Sequence, residues 1–367
     1  MAAEHPKNDL RDLSPAALEP WLVARGHPAF RAGQVMDWLY RRPVYDFARM
    51  KTLPRTLRDE LAREFTLQPL IELARRVSED GAVKYAFSLA DGAVIESVWM
   101  PEPGRATLCL SSQAGCRMAC GFCRTGQGGF SRHLRPSEIV GQVLAVRAQH
   151  EVTNLVFMGM GEPLDNLENV LAALAILCDR RALAFPPRKI TVSTIGLIPG
   201  LKTLAERAPA VKLALSLHSA VPATRERLLP AAGTAGLSRP GGAGALTRAS
   251  RAADLSVLKQ ALKNFPLPPR GRVTIELVLL AGVNDTPADA RALVRWLSGL
   301  KAKVNLIPFN ECPGSGFKAP PEEAVLAFQK ALKDKGVAAF IRKSRGRDIS
   351  AACGQLRGEL AYSEGKK

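Results

Sequence analysis

The sequence predicts an α/β protein: a partial (β/α)6 barrel with a small N-terminal helical unit before it and a C-terminal extension after it. Three observations carry this reading. From about residue 104, short apolar strand-like runs alternate with helical stretches, which implies parallel pairing through right-handed crossovers. Six such units are too few to close a barrel of eight. The chain has 367 residues and is 47% hydrophobic, enough for one full-size core plus an accessory unit.

The elements follow in order. Ser14-Pro15 reads as an N-cap with a first-turn proline, and that helix should stop near Gly26. Residues 30–42 and 57–65 are further amphipathic stretches. Residues 83–89 and 93–100 flank Ala90-Asp91-Gly92, a strand–turn–strand signal. We therefore assign residues 1–90 to the helical accessory unit and the start of the hairpin, 91–336 to the barrel, and 337–367 to the extension. Barrel strands are expected at 106–111, 154–158, 189–194, 211–218, 273–279 and 304–309. Helices are expected at 136–150, 167–178, 255–263 and 287–297 between them. Residues 231–253 interrupt the alternation and, with Gly241-Gly242-Ala243-Gly244, read as an inserted basic loop.

Lys and Arg number 51 against 34 Asp and Glu, a formal charge of +17. Such an excess suits a polyanionic partner, or serves solubility alone. The polar start Met1-Ala2-Ala3-Glu4-His5-Pro6-Lys7 has no apolar signal region, and no run approaches the length of a membrane span. Seven cysteines, unevenly clustered, do not resemble a secreted disulfide framework. A cytoplasmic chain with metal or redox chemistry is expected, monomeric and without a membrane partner.

Cys116, Cys120 and Cys123 are the most specific signal, lying in one tight loop past the first barrel strand. Three thiolates leave one iron of a [4Fe–4S] cube without a protein ligand. That open iron would chelate S-adenosylmethionine (SAM), whose one-electron cleavage gives a 5′-deoxyadenosyl radical. The alternative is a zinc knuckle with His133 as fourth ligand. Gly159-Met160-Gly161-Glu162-Pro163 follows the second strand. It reads as a plain turn, or as a cradle for the SAM amino group where glycine lets the backbone approach. On the strand at 211–218, Ala214, Ser216 and His218 share the face that a ligand would see. His218 is equally a structural histidine. Ser193 and Asn310 stand at strand ends with the same ambiguity, Ser193 as a turn residue.

Cys109 shares a strand face with Thr107 and Ser111, and Cys353 lies near the far end of the chain. Taken singly, each is a small buried hydrophobe, as Cys178 and Cys312 are read here. Glu96 shares a strand face with Val94 and Val98. It is either a proton-transfer group or a solvated carboxylate on an exposed edge.

Together these residues resemble the RlmN/Cfr family of radical SAM RNA methyltransferases over nearly the whole chain. The resemblance runs through Pro28-Ala29-Phe30-Arg31-Ala32-Gly33-Gln34-Val35, Arg105-Ala106-Thr107-Leu108-Cys109, the cysteine triad with Thr125-Gly126, Gly159 to Pro163, Ser216-Leu217-His218, Asn305-Leu306-Ile307-Pro308-Phe309-Asn310, and Ala351 to Leu356. It implies one cluster per chain and two SAM molecules per turnover. The product would be adenosine methylated at C2 in 23S rRNA and in tRNA, with C8 of the same rRNA adenosine as the sibling activity. It implies that Cys353 carries the methyl group, Glu96 removes a proton, and Cys109 releases the product by forming a disulfide with Cys353. Gly161, Glu162, Ser193, Ser216, Leu217, His218 and Asn310 would contact SAM. An electron donor such as flavodoxin or ferredoxin, and a thiol reductant, are implied as partners. The chain departs from the family at residues 231–253, which replace a short Met-Pro-x-Asn link, and at Arg124, His133 and Glu311-Cys312. The basic run Arg342-Lys343-Ser344-Arg345-Gly346-Arg347 either brings phosphates towards Cys353 or is solvated.

Overall fold

The computed structural model describes residues 7–208, 210–230, 254–311 and 315–357. The inserted loop expected at 231–253, and Cys312, lie outside these.

Capping and apolar spacing build the first unit. β1 (Asn8–Asp9) pairs in parallel with β2 (Phe65–Thr66), closing helices Pro15–Val23, Arg31–Met36 and Arg55–Glu64 into one group. Ser14 Oγ accepts from the Ala17 N–H at 3.2 Å, and Pro15 occupies the first turn. The helix ends at Val23, just short of Gly26, whose φ of +78° turns the chain. The stretch at 30–42 is divided: its second half, Asp37–Arg41, is a π turn. Leu18, Leu22, Val35, Met36, Leu57 and Leu61 form the buried seam. A buried Asp9–Arg11 pair binds the unit to the following chain, because Asp9 Oδ2 also accepts from the Gln68 N–H at 2.8 Å.

The sheet then runs without a break across residue 90. Its first four strands are β3 (Ile71–Val77), β4 (Val83–Ser88), β5 (Val94–Glu102) and β6 (Arg105–Cys109), an antiparallel meander. β7 (Gln113–Gly115) and β8 (Phe130–His133) make a separate hairpin flanking the cysteine loop. β9 (Asn154–Phe157), β10 (Ile190–Thr194), β11 (Lys212–Ser216), β12 (Val273–Leu279), β13 (Ala302–Pro308) and β14 (Ala339–Ile341) complete the ten-stranded order β14-β13-β12-β11-β10-β9-β6-β5-β4-β3. From β6 to β14 every pairing is parallel. This is the open α/β barrel the alternation predicts. β14 adds a strand beyond the six expected, and β3 extends the foreseen hairpin. Both escape notice because β3 is largely exposed and β14 has three residues, so neither shows a sustained apolar period.

Helices such as Pro136–Arg147, Leu167–Cys178 and Glu322–Lys333 follow the strands. No helix among the described residues is long and apolar enough to cross a membrane. The buried Gln142 amide joins one helix to the sheet: Oε1 accepts from Ser97 Oγ at 2.7 Å and the Ser111 N–H at 2.9 Å.

The C-terminal segment folds back over the barrel. Asp348 accepts from Ser78 Oγ at 2.5 Å, and Asp80 accepts from the Gly346 N–H at 2.9 Å. Further on, the Arg124 N–H donates to Gly354 O at 2.8 Å and Thr125 Oγ1 to Leu356 O at 2.6 Å. These last bonds fasten the segment carrying Cys353 directly onto the cysteine loop.

Candidate active site

The strand ends and the C-terminal segment enclose a cavity of about 150 Å³. Cys116, Cys120 and Cys123 line it from the loop between β7 and the turn of helix Arg124–Gln127. This loop is tightly built: Gly115 has φ +77°, and a Cβ there would meet Gly129 O at 2.2 Å. Burial raises the Cys116 and Cys120 thiols, and their neighbouring cysteines raise them further. A cationic centre would relieve both by taking thiolates, and with Cys123 beside them the donor set fits an iron–sulfur cluster.

The zinc alternative does not fit. His133 is turned to Gln113 Nε2, 3.0 Å from its Nδ1, and packs edge-on against Phe130. Among the described residues no group of three His, Cys, Asp or Glu side chains is placed to hold a single metal ion. A cube differs: each thiolate ligates its own iron, so three thiols need not converge on a point.

Gly161, Glu162, Ser193, Ser216, His218 and Asn310 line the same cavity. The two glycines of the turn after β9 serve close packing of the chain on itself. A Cβ on Gly159 would meet Leu110 O at 2.7 Å, and one on Gly161 (φ +101°) would meet Gln113 Cβ at 2.6 Å. Glu162 is fully enclosed: Oε1 accepts from the Leu164 N–H and Oε2 from the Ile195 N–H, both at 3.0 Å. Burial pushes its carboxyl up to about 7 against these bonds, which poises it to meet a cationic ligand group. Ser193 belongs to β10, not to a turn, and its Oγ is 3.3 Å from Ser216 Oγ. Asn310 Nδ2 donates to Cys353 O at 3.3 Å, while its buried Oδ1 has no partner among the described residues. An unsatisfied acceptor in a cavity wall is a place for a ligand donor. Leu217 differs from the others. Its side chain lies in the core and is not part of this cavity's wall; its N–H donates to Glu276 O at 3.1 Å.

His218 lies past the end of β11 in the left-handed region, at φ +59°. Its Nδ1 accepts from the Val278 N–H at 3.1 Å, and its ring packs edge-on against Phe122. It therefore has both roles, fixed in the wall and facing the cavity. Burial, then Arg225, push the imidazole down to about 3. The native state resists a proton that the unfolded chain accepts below about 6.5. Stability present above pH 6.5 is thus lost as pH falls towards 3. We expect the thermal midpoint of His218→Asn to fall less steeply across that window than that of the parent. Equal slopes would contradict this.

A second chamber of about 480 Å³ runs further down the barrel; Cys123, Met158, Glu276, Ile307, Arg342 and Cys353 are among the residues it shares with the first. Cys109 lines only this lower chamber; Cys353 lines both. Burial pushes the Cys109 thiol up to about 12; nearby Cys353 adds to this and Arg342 opposes it. Both are free thiols, so the expected disulfide is not present between them. Arg342, from the basic run after β14, is turned inward. Cys353, Glu276 and Cys109 hold its guanidinium well in the charged form against burial. Its Nη1 is 3.9 Å from Glu276 Oε2 and 3.6 Å from Met158 Sδ.

Glu96 is buried rather than on a solvated edge, and it lines neither chamber. Its Oε1 is 3.1 Å from Lys84 Nζ, and Oε2 accepts from the Arg357 N–H at 2.7 Å. Lys84 Nζ also donates to Ser350 O at 3.2 Å. The pair thus grips the C-terminal segment on both sides of Cys353.

Sequence reasoning passes over Glu276 and Gln113 as site residues, and reads Arg342 only as part of a basic run that is phosphate-directed or solvated. Glu276 is visible as a lone acid in an apolar strand, which is the signal for a buried functional carboxylate. Gln113, which accepts from the Glu162 N–H at 2.9 Å and donates to Asp165 Oδ2 at 2.8 Å, gives no local signal.

Comparison with known proteins agrees with this geometry. Residues 8–67 match the ribosomal RNA large subunit methyltransferase N-terminal domain, and residues 110–236 the radical SAM superfamily. The chain is similar to the dual-specificity RNA methyltransferase RlmN of Geobacter sulfurreducens, 46% identical over 96% of this chain and 92% of that one. Its counterpart from Syntrophotalea carbinolica is 45% identical, over 97% and 91%. A solved radical SAM methyltransferase from Sphaerobacter thermophilus superposes with a TM-score of 0.82 at 40% identity, covering 96% of this chain and 100% of that one.

Proposed function

The chain belongs to the RlmN family of radical SAM RNA methyltransferases, and from this we propose that it methylates C2 of adenosine in 23S rRNA and in tRNA through Cys353. The observation that carries the reading is the position of Cys353, whose thiol segment walls both the triad chamber and the lower chamber. Cys116, Cys120 and Cys123 would hold one [4Fe–4S] cluster, with Glu162, Ser193, Ser216, His218 and Asn310 around the SAM molecule. When bound, this pair supplies both a methyl group and a hydrogen-abstracting 5′-deoxyadenosyl radical, from two SAM molecules per turnover.

The residues of the chain do the rest. Adenine C2 is an electrophilic amidine carbon, so it cannot attack a methyl cation equivalent itself. The Cys353 thiolate takes the methyl group first and, after loss of one hydrogen atom, presents its carbon to C2. Radical addition links the base to Cys353 through an S–CH₂ bridge. Loss of the C2 proton, and of one electron that the cluster held by Cys116, Cys120 and Cys123 would take up, then restores the aromatic ring. The family resemblance assigns this proton to Glu96, which lines neither chamber and, with Lys84 and the Arg357 N–H, holds the C-terminal segment in place. The Cys109 thiolate then attacks the Cys353 sulfur, the S–C bond breaks with its electron pair going to carbon, and protonation gives the methyl product. Arg342 favours the Cys109 thiolate. A cellular thiol reductant resets the disulfide, and a low-potential donor of the flavodoxin or ferredoxin class delivers the electron for SAM cleavage.

Mass spectrometry of nucleosides from rRNA and tRNA incubated with the reconstituted enzyme tests the assignment. It should find 2-methyladenosine. Finding 8-methyladenosine alone would move the chemistry to C8, and finding neither would remove the assignment.

A further inference from the structure

The lower chamber runs from Cys123 and Cys353 to the N-terminal ends of the barrel strands. Barrel interiors at this end are ordinarily filled with packed side chains. Here Arg105 opens β6, Lys212 opens β11 and Lys303 is second in β13, and all three line the chamber. Lys189, just before β10, adds its charge to the same place. Partial burial lowers the Lys212 ammonium, and Lys303, Arg105 and Lys189 push it down further. These cations repel one another, yet among the described residues none of the four makes an ion pair with a carboxylate. The chamber's two acids are shared: Glu102 stands opposite Arg105 in the β5–β6 register and also acts on Arg342, while Glu276 acts on Arg342, feels Lys303 and accepts from Asn305 Nδ2 at 3.0 Å. Cations that converge at the mouth of a chamber and outnumber its two carboxylates describe an anion site.

Position identifies the anion. Arg105 and Cys109 are four residues apart on one face of β6, about 13 Å along the strand, a span that a nucleotide covers from base edge to phosphate together with the length of the Arg105 side chain. A base brought to Cys353 from this mouth leaves its phosphates at the rim. We propose that Arg105, Lys212 and Lys303 bind the phosphodiester groups flanking the target adenosine, so that RNA threads its base into the barrel from the N-terminal end. This rests on the reading of the chain as an RNA adenosine methyltransferase.

The test is binding of a single-stranded RNA substrate to the full-length, cluster-loaded enzyme across a potassium chloride series. Lys212→Gln/Lys303→Gln should weaken binding at least about tenfold at low salt and reduce the slope of log affinity against log salt by about 1.4, two contacts at ~0.7 each. Lys212→Arg/Lys303→Arg should restore both. Iron content and thermal midpoint serve as folding controls. Unchanged affinity and slope in the Gln pair overturn the proposal. So does unchanged RNA binding with slower multiple turnover, which would assign the cations to an anionic thiol reductant. If the parent enzyme makes no methyladenosine, the underlying activity fails. If it does and the Gln pair binds RNA like the parent, only the phosphate site fails.

Discussion

Cys353→Ala is expected to reduce RNA methylation to background, a loss of ~10⁶-fold or as far as the assay reaches, comparable with removal of a covalent nucleophile. The reason is chemical and geometric together. C2 of adenine has no nucleophilic character towards SAM, so without a carrier sulfur the methyl carbon never becomes a radical that can add to it. Cys109 cannot substitute, because it is absent from the wall of the upper cavity, where the residues expected around SAM lie with all three triad cysteines, whereas Cys353 lines that cavity. The triad itself is untouched: the strap bonds from Arg124 and Thr125 use backbone oxygens at 354 and 356. Iron and sulfide content should therefore equal the parent's, and 5′-deoxyadenosine should still form under reductant. Methylated adenosine at parental levels would end the carrier role of Cys353.

Cys109→Ala is expected to stop the enzyme after one round, leaving a covalent protein–RNA adduct through Cys353. The steps before release do not use Cys109, so methylene transfer to C2 proceeds. What is lost is the thiolate that breaks the S–C bond. Denaturing gels should show a shifted band that needs SAM and reductant and disappears with ribonuclease, and product should not exceed one per enzyme. The parent thiol is itself handicapped. Burial pushes it up to about 12, so the neutral thiol predominates near pH 7. Arg342 is the charge that offsets this, so release should speed up with rising pH in the parent and show no such trend in the variant. Free methylated RNA over many turnovers, with no adduct, would remove the release role of Cys109.

Much of the site is legible in the chain because its parts are local. Cys116, Cys120 and Cys123 must share one loop whatever the fold, since adjacent Cα atoms are about 3.8 Å apart. The alternating face of β11 places Ser216 towards the cavity by the two-residue period of a strand. Other parts resist such reading. Ser193 and Ser216 approach only through the register in which Ser193 aligns with Ala214. Glu96 looks like a free carboxylate on a strand until Lys84 and the Arg357 N–H close on it. Leu217 sits between two cavity residues but turns into the core. Gly159 and Gly161 look like ligand-facing glycines, yet both spare a clash with the loop after β6.

By itself, the sequence determined the strand–helix alternation, the open barrel and the three-thiol loop, because each depends on spacing within a short covalent stretch. Only the tertiary structure decided that Cys109 and Cys353 meet, that Arg342 turns inward to face them, and that the cations opening β6, β11 and β13 converge on one mouth. Those juxtapositions depend on strand order, register and the return path of the C-terminal segment. They are settled by burial and long-range hydrogen bonding across the whole barrel, which no local pattern encodes.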